Sequence, residues 1–331
     1  MIRRLRSRPV VPAPRALSRA APTTPSHQEP LFSDELLSRL RHVILRSRRR
    51  TATGLSGEHR SLRKGPSPEF ADFKPYAVGD DFRRIDWRAY ARHDSLYVRE
   101  SETTTEFDVH LLVDVSRSMD WSGDEELPTK LRHGLRLAGA IGYLSLWHFD
   151  RVTITPVGSD AGYPFGPAQG RSNIIPMLRY LERTHARAEA DLAQAIKHYV
   201  FQKRRSGFLV IISDFLSDDL SRLESTIHGA AALGWQTLLL QIADPAEDDP
   251  ADVATDAMTT EIADAETGTR MLVSHAPASL VHYRAARAVW TQQLGEIGAG
   301  SRATHVAVST GERIEDVVFR LLFNLGLVAR R

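Results

Sequence analysis

Three oxygen-bearing side chains stand two residues apart in the stretch HLLVDVSRSMDW, His110 to Trp121: Asp114, Ser116 and Ser118. While the backbone stays extended beyond the apolar run, residues two apart share a face, so these three converge while Val115 and Arg117 point elsewhere. A second apolar run, GFLVIISDF, ends in Asp214 in the same way. If the two runs are parallel strands of one sheet, Asp214 reaches the same edge as Asp114, and ligand crevices lie beyond the carboxyl ends of such strands. Two carboxylates and two hydroxyls suit Mg²⁺ or Mn²⁺. Mg²⁺ takes oxygen ligands at ~2.1 Å and keeps several as water, so a partial protein shell is enough.

Other chemistries suit the same residues less well. A hydrolase serine sits in G-x-S-x-G, whose glycines permit a strained turn, and neither DVSRS nor VSRSM supplies them. Phosphoaspartyl enzymes place a second aspartate two residues after the first, where this chain has Ser116. An aspartate nucleophile remains open in principle, although spacing reveals no acid–base partner. No G-x-x-x-x-G-K-[ST] phosphate loop occurs. The plainest alternative is that Asp114, Ser116 and Ser118 only cap the turn that follows the strand.

The elements around these residues read as an alternating α/β chain. FDVHLLVDV, DRVTITPVG, GFLVIIS, WQTLLLQIA and ATHVAVS have strand character. Between and after them, helical periodicity appears from Lys130 to His148, Arg171 to Arg183, Asp191 to Gln202, Asp218 to Gly234, Ala276 to about Gly298, and from Glu312. MTTEIADAETGTRMLVS reads as a hairpin turning near Glu266 to Gly268. Strands alternating with helices predict a doubly wound, mostly parallel sheet flanked by helices. Upstream, SDELLSRLRHVILRSRRR predicts a helix with Ser33 as its N-cap and Leu36, Leu37, Leu40, Val43 and Ile44 on one face. Thr51 to Glu106 is rich in Gly, Pro and charge, without clean periodicity.

Composition bounds the classes. The chain has 331 residues, is 42% hydrophobic and 25% charged, carries a net charge of +2 and has no cysteine. Disulfide frameworks and thiolate metal sites are therefore excluded. Arg3, Arg4, Arg6, Arg8, Arg15 and Arg19 precede the first acid, Glu29, in a Pro-rich start without an apolar signal segment. This predicts a disordered tail over 1–30. No stretch has the roughly 18 consecutive apolar residues of a membrane span, so the expectation is a soluble, cytoplasmic protein.

The spacing Asp114-x-Ser116-x-Ser118 on this α/β background, with Asp214 ending a later strand, resembles the metal-ion-dependent adhesion site of von Willebrand factor A domains. The preceding stretch, GEHRSLRKGPSPEFADFKPYAVGDDFRRIDWRAYARHDSLYVRE from Gly57 to Glu100, resembles the signature of the bacterial domain of unknown function 58 family. Its matching residues include Gly57, His59, Lys64, Gly65, Gly79, Asp80, Asp81, Arg83, Asp86, Trp87 and Arg92. The resemblance implies a helix-plus-signature segment over 31–106, a von Willebrand factor A-like domain over 107–331, and a non-enzymatic interaction protein. It also implies a MoxR-type AAA+ ATPase as partner and a metal position left open for an acidic residue of a client protein. The rival class is a metal-dependent hydrolase or phosphotransferase using the same edge.

One position departs from the pattern. Relatives place a threonine hydroxyl near the metal, whereas RAEADLAQAI here has Ala190 at that place. Asp191 remains as a helix N-cap and a candidate ligand through water, and Glu189 or Thr184 are candidates to compensate. In the signature, Asp80, Asp81 and Asp86 interleave with Arg83, Arg84, Arg88 and Arg92 around aromatic residues. They predict either a carboxylate–guanidinium network that locks the segment or a docking surface for the ATPase. The aspartates argue against a nucleic-acid site there.

Overall fold

The computed structural model describes residues 31–39, 70–76, 85–93, 95–101, 107–158, 162–187, 191–203, 206–216, 219–248, 259–263, 269–274, 277–301 and 303–324. The Arg- and Pro-rich start, Asp80, Asp81, Arg83, Glu189, Ala190 and the turn over 264–268 lie outside them.

Two compact units are distinguished, one running from Gly54 to Glu106 and the other comprising the remaining chain. The helix α1, over 34–39, groups with the larger unit rather than with the signature segment. Ser33 caps it as expected, its Oγ accepting the Leu36 N–H at 3.2 Å. In the smaller unit, β1 (Phe70–Pro75), α2 (Trp87–His93) and β2 (Tyr97–Ser101) follow one another. β1 and β2 are antiparallel, with Phe73 opposite Arg99 and Pro75 opposite Tyr97. The aperiodic stretch thus contains a two-stranded antiparallel pair with a short helix in the connection between its strands.

The larger unit carries a six-stranded sheet in the order β10 (Ala303–Ser309), β7 (Gln236–Ala243), β6 (Phe208–Ser213), β3 (Asp108–Asp114), β4 (Arg151–Val157), β5 (Phe165–Gln169). The first five strands in this order are mutually parallel, and β5 alone is antiparallel, at the edge. The sheet is thus mostly parallel, as the alternation predicts. The antiparallel edge strand has no counterpart in the sequence pattern. Helices α3 (Lys130–Trp147), α4 (Ile174–Glu182), α5 (Leu192–Gln202), α6 (Leu220–Ala232), α7 (Pro245–Asp248), α8 (Pro277–Gly300) and α9 (Ile314–Asn324) complete the unit. The expected hairpin is present as β8 (Thr259–Ala263) against β9 (Arg270–Ser274).

Strand alternation divides the core in two. Leu111, Val113, Val210 and Ile212 enter a cluster with residues of α3, α4 and α9, whereas Leu112, Leu209, Ile211 and Leu239 enter one with α5, α6 and α8. Each fully buried aliphatic side chain contributes about 1.5–3 kcal/mol, so both sheet faces hold the strands in register. Side-chain oxygens start three further helices of this unit: Thr129 Oγ1 accepts the Arg132 N–H at 3.2 Å, Asp191 that of Gln194 at 2.9 Å, and Asp219 that of Arg222 at 3.1 Å. On α3, a Cβ at Gly139 would collide with the Phe32 ring. That glycine lets the segment before α1 lie directly on α3.

From β3 the chain moves to β4 and β5 on one side, then returns to β6 on the other side of β3. The carboxyl ends of β3 and β6 therefore flank the point where strand order reverses, which is where open α/β sheets form their binding crevice. Asp114 ends β3 and Asp214 immediately follows β6.

Candidate functional site

Asp114, Ser116, Ser118 and Asp214 are all buried at the carboxyl edge of the sheet. The chain reaches this arrangement by turning, not by remaining extended as expected. Asp114 Oδ1 accepts the Ser116 N–H at 2.9 Å, and residues Arg117–Met119 form a 3-10 turn that brings Ser118 Oγ to 3.0 Å from Ser116 Oγ. The Val115 N–H still donates to the Val157 carbonyl at 3.0 Å, so the loop departs from the sheet under control of β4. At the end of β6, Ser213 Oγ donates to Asp114 Oδ2 at 2.6 Å and accepts the Phe215 N–H at 2.9 Å. Asp214 Oδ1 takes the Leu216 N–H at 3.0 Å. Phe215 has φ +56°, a left-handed conformation costing a non-glycine residue about 1–3 kcal/mol. Its fully buried ring, packed in the second core cluster, holds it there.

The most consequential neighbour is a lysine. Lys130, the first residue of α3, is 0% exposed, and its Nζ donates to Asp214 Oδ2 at 2.7 Å and to Glu247 Oε1 at 2.6 Å. Glu247 lies on α7, just beyond β7, with Arg287 Nη2 at 3.5 Å from its Oε2. The Tyr283 hydroxyl donates to the Glu247 carbonyl at 2.6 Å, tying α7 to α8. Burial alone would lower the Lys130 pKa, but the Asp214 and Glu247 carboxylates outweigh it and hold the ammonium above its ordinary value. Asp244 is also buried, accepting the Gly123 N–H at 3.2 Å and the Thr310 hydroxyl at 3.3 Å. A Cβ at Gly123 would collide with Ala246, so glycine permits this close approach.

Asp114 is treated differently. Among the described residues it pairs with no basic side chain. Its partners are the Ser116 N–H and the Ser213 and Ser116 hydroxyls. Burial and then the nearby Asp214 charge push its carboxyl up to about 6, against the opposing pull of those hydrogen bonds. No group of three His, Cys, Asp or Glu placed to hold a metal occurs among the described residues. Any cation here would rely on serine oxygens beside the carboxylates. The donor set fits one: Ser116 Oγ and Ser118 Oγ, 3.0 Å apart, match the edge of an octahedron with ~2.1 Å bonds, and Asp114 supplies a carboxylate without a counter-charge.

The remaining expected residues divide. Asp191 caps α5 and meets Arg222 Nη2 at 3.0 Å, with both side chains about half exposed. Thr184 Oγ1 donates to the Tyr180 carbonyl at 3.1 Å. Asp86 is buried and accepts the Ala89 N–H at 3.1 Å, starting α2, while Trp87 is largely exposed and meets Tyr90 edge-on at 6.3 Å. The Arg92 backbone lies in α2. Lys130, Ser213, Asp244 and Glu247 join the site without having been expected from the sequence. One signal was available for Asp244: it follows the apolar run TLLLQIA as Asp114 and Asp214 follow theirs.

Among the described residues, no helix is long and apolar enough to cross a membrane. Uncharacterized proteins of Mycobacterium tuberculosis and Mycobacterium bovis are 32% identical over 186 residues, which is 55% of this chain and 58% of theirs. The chain thus spans little more than half the length of these curated relatives. Among solved structures, the conserved hypothetical protein BatB from Bacteroides thetaiotaomicron aligns with TM-score 0.39 at 14% identity, covering 67% of this chain and all of that one. The PilB minor pilin from Streptococcus sanguinis aligns with TM-score 0.34 at 12% identity, covering 70% and 64%. The family profile described as protein of unknown function DUF58 matches residues 72–293, and the chain belongs to that family.

Proposed function

We propose that this chain is a non-enzymatic interaction protein built on a von Willebrand factor A-like domain, recruiting an acidic partner residue through a divalent cation at the strand ends. The observation that carries the reading is the convergence of Ser116 Oγ and Ser118 Oγ, 3.0 Å apart, beside a buried Asp114 that has no basic partner among the described residues. Asp114, Ser116 and Ser118 would hold Mg²⁺ or Mn²⁺, with Asp214 on the same edge. The bound ion would supply positive charge to a partner's carboxylate in a partly dehydrated contact.

The chain's own residues prepare that contact. Ser213 and the Ser116 N–H orient the Asp114 carboxylate, and Lys130 fixes Asp214 from the side facing Glu247. The position of the site at the reversal of strand order gives a partner access to the crevice. The protein partner proposed is a MoxR-type AAA+ ATPase, on the resemblance in the Gly57 to Glu100 signature, where exposed Trp87 and Tyr90 offer a docking surface. A cytoplasmic location goes with that partnership.

The test is recovery of purified MoxR-type ATPase by the immobilised protein in Mg²⁺ and in EDTA, with Asp114→Ala alongside. Binding is expected to fall in EDTA and in the variant. Equal recovery under all three conditions would overturn the cation-mediated contact. A metal-dependent hydrolase or phosphotransferase would instead show turnover that Asp114→Ala abolishes.

A further inference from the structure

The carboxyl end of α4 and the loop after it place Arg179, Arg183 and Arg187 around an open cleft of about 490 Å³, with His185, Tyr163 and Tyr180 also lining it. The three arginines are exposed, and among the described residues none has a carboxylate partner. No acid is among the described residues that line the cleft. Arg179 in the last turn of α4 and Arg183 at its C-cap stand four apart, at the helix end where the dipole favours basic side chains. Glu182 lies beside them at the end of α4, but the cleft lining itself carries three arginines and, among the described residues, no acid, a surface suited to a negative ligand. Tyr163 is 92% exposed, while the Tyr180 hydroxyl donates to the Tyr163 carbonyl at 2.9 Å and fixes that side of the cleft.

The cleft is joined to the strand-end site by backbone. The Arg187 N–H donates to the Val115 carbonyl at 2.6 Å, between Asp114 and Ser116. Arg187, which lines the cleft, is thereby tied to the loop that carries the two serines.

We propose that this cleft binds an acidic peptide segment of the partner, its carboxylates on Arg179, Arg183 and Arg187 and a further acid directed at the strand-end site. The proposal rests on the reading of that site as a partner-binding site and specifies the partner's chemistry. Guanidinium groups pair with carboxylates through two parallel hydrogen bonds, and an exposed tyrosine offers a flat apolar contact with a polar tip. A peptide is favoured over nucleic acid by the neighbouring charges. Asp114, Asp214, Asp244 and Glu247 are buried at the strand ends against Lys130 and Arg287, a negative surplus. A phosphate backbone would carry unbroken charge across that edge, whereas a peptide can confine its acids to the cleft and the cation.

The test is fluorescence anisotropy with a fluorescein-labelled Asp- and Glu-rich peptide in Mg²⁺. A Lys-rich peptide and a single-stranded oligodeoxynucleotide serve as comparison probes. The acidic peptide is expected to bind and the other two are not. Combined Arg179→Glu and Arg183→Glu, both at exposed positions, should weaken binding about tenfold or more with unchanged thermal melting. Unchanged affinity in that variant overturns the cleft proposal, as does tighter binding of the oligonucleotide than of the peptide. EDTA and Asp114→Ala separate the two readings. If they leave peptide binding intact while arginine reversal abolishes it, the cleft stands and the cation-mediated contact falls.

Discussion

At the end of β6, Asp214 meets a buried ammonium at 2.7 Å, and that ammonium is shared with Glu247, which in turn has Arg287 nearby. One strand away, at the end of β3, Asp114 is equally buried yet meets a backbone N–H and the hydroxyls of Ser116 and Ser213, with no basic side chain among the described residues. Both carboxylates were removed from water by the same sheet, but only one was given a counter-charge. The cost of an isolated buried charge is several kcal/mol, so a protein neutralises it, pairs it or leaves it for a ligand. The β6 side is paired internally. The β3 side, with its carboxyl pushed up to about 6, has no basic side chain among the described residues to offset its charge.

Removing Lys130 should have the largest effect on this contrast. Lys130→Met leaves Asp214 and Glu247 buried without their shared donor, and breaking one side of a buried ion pair costs about 3–5 kcal/mol. Urea melts should show that loss. Lys130→Met combined with Glu247→Gln should recover part of it, because one orphaned charge is gone. A loss below about 1 kcal/mol for the single variant would mean that the β6 side is not held by this pair.

Asp114→Asn should behave oppositely. The amide can still accept the Ser116 N–H and reach Ser213, but it brings no charge for a cation. If the proposed cation site is filled, Mg²⁺ at a hundredfold above its dissociation constant should add about 2.7 kcal/mol to the wild type by ligand linkage and almost nothing to the variant. In EDTA the ranking reverses with pH. The folded-state value of about 6 lies above the ordinary 3.8, so the Asp114 contribution is fully present below 3.8 and is lost as pH rises through 6. Each tenfold difference in proton affinity between the folded and unfolded chains corresponds to about 1.4 kcal/mol. Between about pH 4 and pH 7 the variant should therefore gain up to ~3 kcal/mol on the wild type. Buried His110 and His133, both lowered to about 4 with burial as the main cause, titrate alike in the two proteins. They cancel in the difference. A pH-independent gap would remove the distinction between the two carboxylates.

The sequence exposed both carboxylates of this comparison and concealed the counter-charge that separates them. Asp114 and Asp214 are legible because a parallel strand buried on both faces is a short apolar run, and the residue that ends it faces the crevice. Lys130 is concealed because a lysine at the start of an amphipathic helix ordinarily belongs to solvent. Its burial depends on Glu247, 117 positions later, in a segment that reads as an Asp- and Pro-rich loop. The edge strand Phe165–Gln169 escaped for a related reason. FGPAQ contains Gly166 and Pro167, residues confined to sheet edges and irregular positions, so it carries no strand pattern of its own. The arginines of the cleft were visible as residues, but only the fold gathers them around one cleft and ties Arg187 to the Val115 carbonyl.

The smallest expected effect concerns Asp191, one of the two acids that flank Ala190, the position where the family resemblance implies a threonine. Its carboxylate caps α5 through Gln194 and meets Arg222 at 3.0 Å, with about half of each side chain in solvent. An exposed ion pair contributes about 0.2–1 kcal/mol, and loss of an N-cap costs about 1 kcal/mol. Asp191→Asn keeps the cap and should change stability by less than about 0.5 kcal/mol, whereas Asp191→Ala should cost about 1 kcal/mol. Neither should alter the midpoint of Mg²⁺ stabilisation followed by thermal melting, because the capped carboxylate is already satisfied by the protein. If Asp191→Asn shifted that midpoint as far as Asp114→Asn does, the counter-charge deficit at β3 would be shared by a second acid. The cation site would then extend from the end of β3 to the start of α5.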